Sequence, residues 1–170
     1  MADRLGDIVE SGEPKRLATG FVFTEGPLWQ SDGSWLFVDI EQFSIFRLPP
    51  GGQPELLRDN SGRANGMTFD HQGRLLMCEG DNRRVTRREP DGSYTTIAER
   101  VGGKRLNTPN DIVGRSDGSI YFTDPNGNGR IPAEELELDY PGVNRIAPDG
   151  SVAIVTQEMQ YPNGLAFSPD

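Results

Sequence analysis

The chain has 170 residues, of which 21 are glycine and 13 are proline, a composition that favours a soluble, β-rich protein with many tight turns. Its formal charge of −9 argues against nucleic acid as the main partner, and no apolar stretch is long enough to cross a membrane. Cys78 is the single cysteine, which excludes an internal disulfide, and no charged-then-apolar leader follows Met1, so we expect a cytoplasmic protein.

The first predicted group of strands occupies residues 21–60. It opens with the segment TEGPLW from Thr24 and continues with short apolar segments at 36–39, 44–48 and 54–57. A turn of proline and glycine at 50–52 separates the last two. The order of strand and turn signals predicts four antiparallel strands.

The same order recurs twice more. Residues 61–100 contain predicted strands at 67–69, 75–78, 84–88 and 94–98, and residues 106–157 contain them at 111–114, 120–123, 143–147 and 152–156. A further start, YPNGLAFSPD, occupies residues 161–170. Four strands in about 45 residues are typical of one blade of a β-propeller. The sequence therefore predicts an all-β, partial β-propeller with three four-stranded blades and the first strand of a fourth.

A polar residue recurs at the start of each predicted blade. Glu25, Asn65, Asn110 and Asn163 lie about 40 to 53 residues apart. Because the first strands of propeller blades line a central channel, we expect these side chains to face a common cavity. One carboxylate and several amide oxygens suit a hard divalent cation such as calcium or magnesium.

Local alternatives exist for several of these residues. Asn65 alone is explained by turn geometry, because asparagine tolerates left-handed backbone and caps its own turn. Asp111 follows Asn110 in a predicted strand, so its side chain should point away and serve a structural hydrogen bond. The arginines at 83, 84, 87 and 88 alternate around Val85 and predict the solvated face of an outer strand.

A second calcium motif begins at Asp124. The segment DPNGNGRIPAEE matches the calcium-loop pattern through Asp124 and Glu135. A strand rather than a helix is predicted before it, and Pro125 stiffens the loop. The alternative is an insertion between blade strands with a short helix over residues 132–138.

Four segments resemble the gluconolactonase and senescence marker protein (regucalcin) family: TEGPLW, KRLNTPNDIVGRSDGSIYFTDP, GVNRIAPDG and YPNGLAFSPD. The resemblance covers the chain from about residue 17 onward and implies a six-bladed propeller with one divalent metal ion in its channel. It implies that Glu25, Asn110 and Asn163 bind the metal, and that Asn110 also contacts substrate. Calcium is expected first, with magnesium, manganese, zinc or iron(II) as alternatives. Arg105 and Asn107, in the loop before Asn110, are candidates for contact with the substrate; the alternative is an exposed loop arginine and an asparagine that forms a turn.

The implied activity is metal-dependent hydrolysis of sugar lactones, so the expected partner is a small sugar lactone. The family's general base, an Asp from a later blade, lies beyond these 170 residues, and we expect the chain alone to be inactive. The alternative function is a non-catalytic calcium-binding or interaction propeller. Because a partial ring leaves strand edges exposed, we also expect self-association through the blade edges.

Overall fold

The computed structural model describes residues 12–168, and its regular structure is almost entirely β-strand. The first sheet contains β1 (Thr24–Trp29), β2 (Trp35–Asp39), β3 (Ser44–Leu48) and β4 (Glu55–Arg58). The second contains β5 (Ala64–Phe69), β6 (Leu75–Glu79), β7 (Arg84–Arg88) and β8 (Tyr94–Ala98). A two-stranded hairpin follows, with β9 (Arg100–Val101) and β10 (Lys104–Arg105). The last sheet contains β11 (Ile112–Gly114), β12 (Ile120–Asp124), β13 (Gly142–Ile146) and β14 (Val152–Thr156).

Each four-stranded sheet is an antiparallel meander, because its strands pair in the order in which they occur along the chain. A repeated Asp-Gly-Ser turn supports this arrangement. The side chains of Asp91, Asp117 and Asp149 each accept the backbone N–H of the serine two residues later at 2.9 Å. The glycine between them adopts a positive φ of 85–86°, which other residues rarely tolerate. The predicted all-β, partial β-propeller fold is confirmed.

Two local predictions are wrong. Residues 132–138 do not form a helix: a single 3₁₀ turn spans Ala133–Glu135, and Leu136 returns to extended backbone. Residues 161–168 lie in no strand, although a strand was predicted there. A strand needs a hydrogen-bonded neighbour, and within the described part of the chain this segment has none along its length.

The core lies between neighbouring blades, and strand β6 contributes to both of its halves. Leu75 and Met77 pack toward the first blade, whereas Leu76 and Cys78 pack toward the third. Successive side chains of a strand point to opposite faces, so a strand covered on both sides is apolar throughout. This explains the run LLMC, and it makes Cys78 a buried structural thiol whose pKa is raised by burial.

A buried carboxylate joins the first two blades. Glu79 is fully buried at the end of β6, and the guanidinium of Arg58 on β4 lies 2.7 Å from its Oε1. Burial disfavours the ionised form, but hydrogen bonds from Asn82, Thr86, Arg58 and Arg84 outweigh it, so the pKa of Glu79 is lowered. The paired charges therefore stabilise the contact between blades as long as Glu79 is ionised.

Apolar side chains are exposed at both ends of the row of blades. Trp29 of the first blade is 53% exposed, and Val155 of the third is 51% exposed. Large exposed apolar patches are characteristic of interaction surfaces.

No helix in residues 12–168 is long and apolar enough to cross a membrane.

Candidate metal and substrate site

A cavity of about 210 Å³ lies where the first strands of the blades approach one another. It is lined by the polar residues predicted to share a phase of the repeat, together with their neighbours: Glu25, Gly26, Pro27, Asn65, Gly66, Met67, Asn110, Asp111, Asn163 and Gly164. The structure thus brings all four predicted polar residues to one place. They come from three blades and from the segment after β14.

Glycines make this convergence sterically feasible. A Cβ atom on Gly26 would lie 2.1 Å from the carbonyl oxygen of Asn65, far inside any real contact. A Cβ atom on Gly66 would lie 2.5 Å from the Cα of Asp111. Both glycines also lie in β-bulges, where the pairing of β1 with β2 and of β5 with β6 is interrupted. The bulges turn the strand entrances toward one another and place the residue before each glycine at the cavity.

The backbone of Asn110 is fixed from two sides. Its N–H donates to the carbonyl of Thr123 at 2.9 Å, and its carbonyl accepts the N–H of Gly66 at 2.7 Å. The residue is 7% exposed. Its side chain, which lines the cavity, makes no hydrogen bond to another described residue.

The side chains of Glu25, Asn65 and Asn163 likewise have no hydrogen-bond partner within residues 12–168. Polar groups gathered at a cavity and left unpaired by the protein are available to a ligand. Together with Asn110, these side chains supply the oxygens of one carboxylate and three amides, which match the preference of hard cations such as calcium. No cluster of three or more histidine, cysteine, aspartate or glutamate side chains occurs in the described chain, so a metal here would depend on amide oxygens.

Two residues that the sequence did not assign to a metal or substrate site also line the cavity. Asn65, explained there by turn geometry, lines the cavity beside Glu25 and Asn110. Asp111 also borders the cavity, and its Oδ2 accepts the backbone N–H of Leu165 at 2.9 Å. Its predicted hydrogen-bonding role is present, and it borders the same cavity as Asn110. Asp111 precedes β11, so the alternation of a regular strand does not apply to it.

An acidic residue ends the second strand of each blade, and in the first and third blades it helps to position the strand entrance. Asp39 accepts the N–H groups of Val22 and Phe23 at 2.7 and 3.2 Å, just before β1. Asp124 accepts the N–H of Asn107 at 2.9 Å, just before the Asn110 segment. These bonds fix the chain as it enters the first and third blades.

Asp124 is 1% exposed and its Oδ1 has no hydrogen-bond partner among the described residues. Burial raises its pKa to about 7, although the backbone N–H groups of Asn107 and Thr108 and the charge of Arg83 favour ionisation. A strand precedes this residue, and its Oδ2 is occupied by the Asn107 N–H. The structure therefore favours an insertion between strands over an EF-hand-like calcium loop.

Asn107 and Arg105 do not line the cavity. Asn107 is fully buried, and its Nδ2 donates to the carbonyl of Tyr140 at 2.9 Å. Arg105 is exposed on β10, where its backbone N–H donates to Glu137 at 2.8 Å. Contact of either residue with substrate stays a prediction.

Arg83 differs from its neighbours in the arginine run. It is 4% exposed, and its guanidinium donates to the carbonyls of Leu106 and Glu135 at 2.7 and 3.0 Å. The predicted solvated face is wrong for this residue. Arg83 precedes β7 in a turn with φ of 57°, so it is outside the alternation of the strand.

The fold and the shared polar cavity define a partial β-propeller with a candidate cation site where its first strands converge. The family model of the SMP-30/gluconolactonase/LRE-like region matches residues 23–170, and the chain belongs to this family. A gluconolactonase of Zymomonas mobilis is 29% identical over 98% of the chain and 52% of its own length. The chain therefore spans about half the length of this relative.

Solved structures agree with the assignment. A gluconolactonase from Xanthomonas campestris superposes with a TM-score of 0.83 at 34% identity, over 90% of the chain and 53% of the structure. Regucalcin from Agrobacterium tumefaciens, a calcium-binding protein, superposes with a TM-score of 0.68 at 18% identity, over 89% of the chain and 49% of the structure. The second likeness concerns the fold alone.

Proposed function

We propose that the chain forms part of a metal-dependent sugar lactone hydrolase and that Glu25, Asn110 and Asn163 hold its divalent cation. Calcium is the first candidate, since carboxylate and amide oxygens are its usual ligands. Magnesium, manganese, zinc and iron(II) are alternatives. The observation that carries the proposal is the convergence of these three unpaired side chains on one cavity.

The family and its gluconolactonase relatives support a lactone as the substrate class. A bound divalent cation would polarise the lactone carbonyl and favour attack by water. Glu25 would supply the negative charge of the cation site, while Asn110 would orient a ligand from a backbone fixed on both sides. In this proposal Asn110 would contact both the cation and the substrate.

A proton acceptor for the attacking water is the further requirement of this reaction. The family resemblance assigns it to an Asp in a later blade than those described here. Asp111 is the second acid at the cavity, but its Oδ2 is already occupied by the N–H of Leu165. We therefore expect negligible lactone hydrolysis by the 170-residue chain alone.

Calorimetric titration tests the cation site. We expect calcium to bind the wild-type chain and Glu25→Gln to lower the affinity by at least about tenfold, because it removes the carboxylate charge. Glu55→Gln, on the exposed strand β4, is the matched control and should leave the affinity unchanged. Equal affinities of wild type and Glu25→Gln would contradict the assignment of Glu25.

Assays of gluconolactone hydrolysis test the reaction. The 170-residue chain should show negligible turnover, and a six-bladed protein that contains it should show calcium-dependent turnover. Equal rates for the two proteins would contradict the requirement for the later blade. Cation binding by the six-bladed protein without turnover on a panel of lactones would instead support a non-catalytic calcium-binding propeller.

A further inference from the structure

The segment that carries Asn163 has few attachments to the blades. Within residues 161–167 the structure shows one hydrogen bond to another part of the chain, from the N–H of Leu165 to Asp111 Oδ2 at 2.9 Å. The ring of Phe167 also packs edge-on against Tyr121, with 5.1 Å between their centroids. Asn163 itself is exposed and lies in no strand, between the buried Pro162 and the hydrogen-bonded Leu165.

Asp111, in contrast, is rigidly held. Its N–H donates to Thr123 Oγ1 at 2.9 Å, and its carbonyl accepts the N–H of Thr123 at the same distance. Gly66 packs directly against it, since a Cβ at that position would lie 2.3 Å from Asp111 Oδ1. The carboxylate therefore offers a fixed acceptor, and hydrogen bonds to an ionised acceptor are stronger than bonds between neutral groups.

We propose that Asp111 is a positioning residue that holds the 161–168 segment and thereby keeps Asn163 at the cavity. Its hydrogen bond fixes the backbone two residues after Asn163 and brings Gly164 against the same carboxylate. The consequence for cation affinity rests on the proposed function, which makes Asn163 a ligand. The consequence for the segment's mobility does not, because it concerns the hydrogen bond alone.

Hydrogen exchange of the cation-free chain tests the hydrogen bond between Leu165 and Asp111 directly. Asp111→Ala should accelerate exchange at the Leu165 amide by about tenfold or more, because it removes a charge-assisted hydrogen bond. Asp111→Asn retains an oxygen acceptor and should restore most of the protection. Asp117→Ala, in the turn before β12, is the control and should leave Leu165 unaffected. Unchanged exchange at Leu165 in Asp111→Ala would overturn the proposal.

Calcium titration tests the effect on the site. Asp111→Ala should lower the affinity by about tenfold, as expected when a residue that orients a ligand is lost, and Asp111→Asn should lower it less. Asp117→Ala should bind as the wild type does. Equal binding by Asp111→Ala would overturn the positioning role. If the wild type does not bind calcium, the proposed cation site is wrong. The exchange result then still decides whether Asp111 holds the 161–168 segment.

Leu165→Pro provides a second route in case Asp111→Ala does not fold. It removes the donated N–H but leaves the carboxylate and all three blades intact. Calcium affinity should fall by about as much as in Asp111→Ala. Wild-type affinity in Leu165→Pro would also contradict the proposal.

Discussion

Gly66 donates its N–H to the carbonyl of Asn110 at 2.7 Å and thereby joins the second blade to the third at the edge of the candidate site. The bond requires close approach of two backbones, and a side chain on Gly66 would collide with the backbone of Asp111. The spacing between blades at the cavity therefore depends on the absence of a Cβ at this position.

Gly66→Ala should consequently destabilise the protein and weaken cation binding together. The new methyl group would meet Asp111 Cα at 2.5 Å, so the two blades must separate. We expect a loss of about 1–3 kcal/mol in the free energy of unfolding, measured with urea, as for other overpacked sites. Gly80→Ala, where the nearest atom lies 3.6 Å from the added carbon, is the control. Similar losses in the two variants would contradict the explanation.

The ion pair between Arg58 and Glu79 predicts a second stability difference. Arg58→Met leaves the fully buried Glu79 with one fewer charged partner, and it also removes the stacking of the guanidinium 4.0 Å from the Tyr94 ring. Urea unfolding should reveal a loss of about 1–3 kcal/mol.

Arg47→Met is the comparison for this prediction. Arg47 pairs with Asp32 and Glu55, but both acids are more than half exposed, so its loss should cost clearly less stability than the loss of Arg58. If the two substitutions cost the same, burial of Glu79 does not determine the strength of its ion pair.

Asp124 predicts a dependence of stability on pH. Its pKa is raised from 3.8 to about 7, so the folded state binds a proton that the unfolded state releases. Its contribution to stability is fully present below pH 3.8 and is lost as pH rises through about 7. The free energy of unfolding should therefore fall with increasing pH in this window, by at most about 1.4 kcal/mol per pH unit.

Asp124→Asn removes the titrating group while keeping its shape. Urea unfolding of wild type and variant between pH 5 and pH 8 should show a flatter profile for the variant. Parallel profiles would show that Asp124 does not take up the proton. Asp117→Asn, in an exposed turn, should retain the wild-type slope.

The exposed ends of the blade row predict association of the chain with itself. Val155 on β14 is 51% exposed and lies on the last strand of its sheet, so Val155→Lys should weaken association. Sedimentation velocity at several concentrations would measure this. Thr95→Lys, an exposed position on β8, should have little effect. A wild type that stays monomeric at all concentrations would refute the prediction.

Sequence patterns determined the blades because a strand and its turn are local structures. The Asp-Gly-Ser turns and the apolar segments between them predicted strands such as β3, β7, β8 and β14 at their observed bounds. The spacing of Glu25, Asn65, Asn110 and Asn163 predicted their common phase, and the structure places them at one cavity. In a repeat protein the sequence can predict that distant residues lie together, because equivalent positions of successive blades face the same axis.

Tertiary structure alone decided which neighbours of those residues share the site. Asp111 borders the cavity and accepts a hydrogen bond from Leu165, 54 residues away, whereas Asn107 turns into the core toward Tyr140. Arg83 is buried because the hairpin after the second blade brings the Leu106 carbonyl to it. The burial and the hydrogen-bond partners of these residues depend on contacts between distant segments. The identity of a residue alone therefore does not predict them.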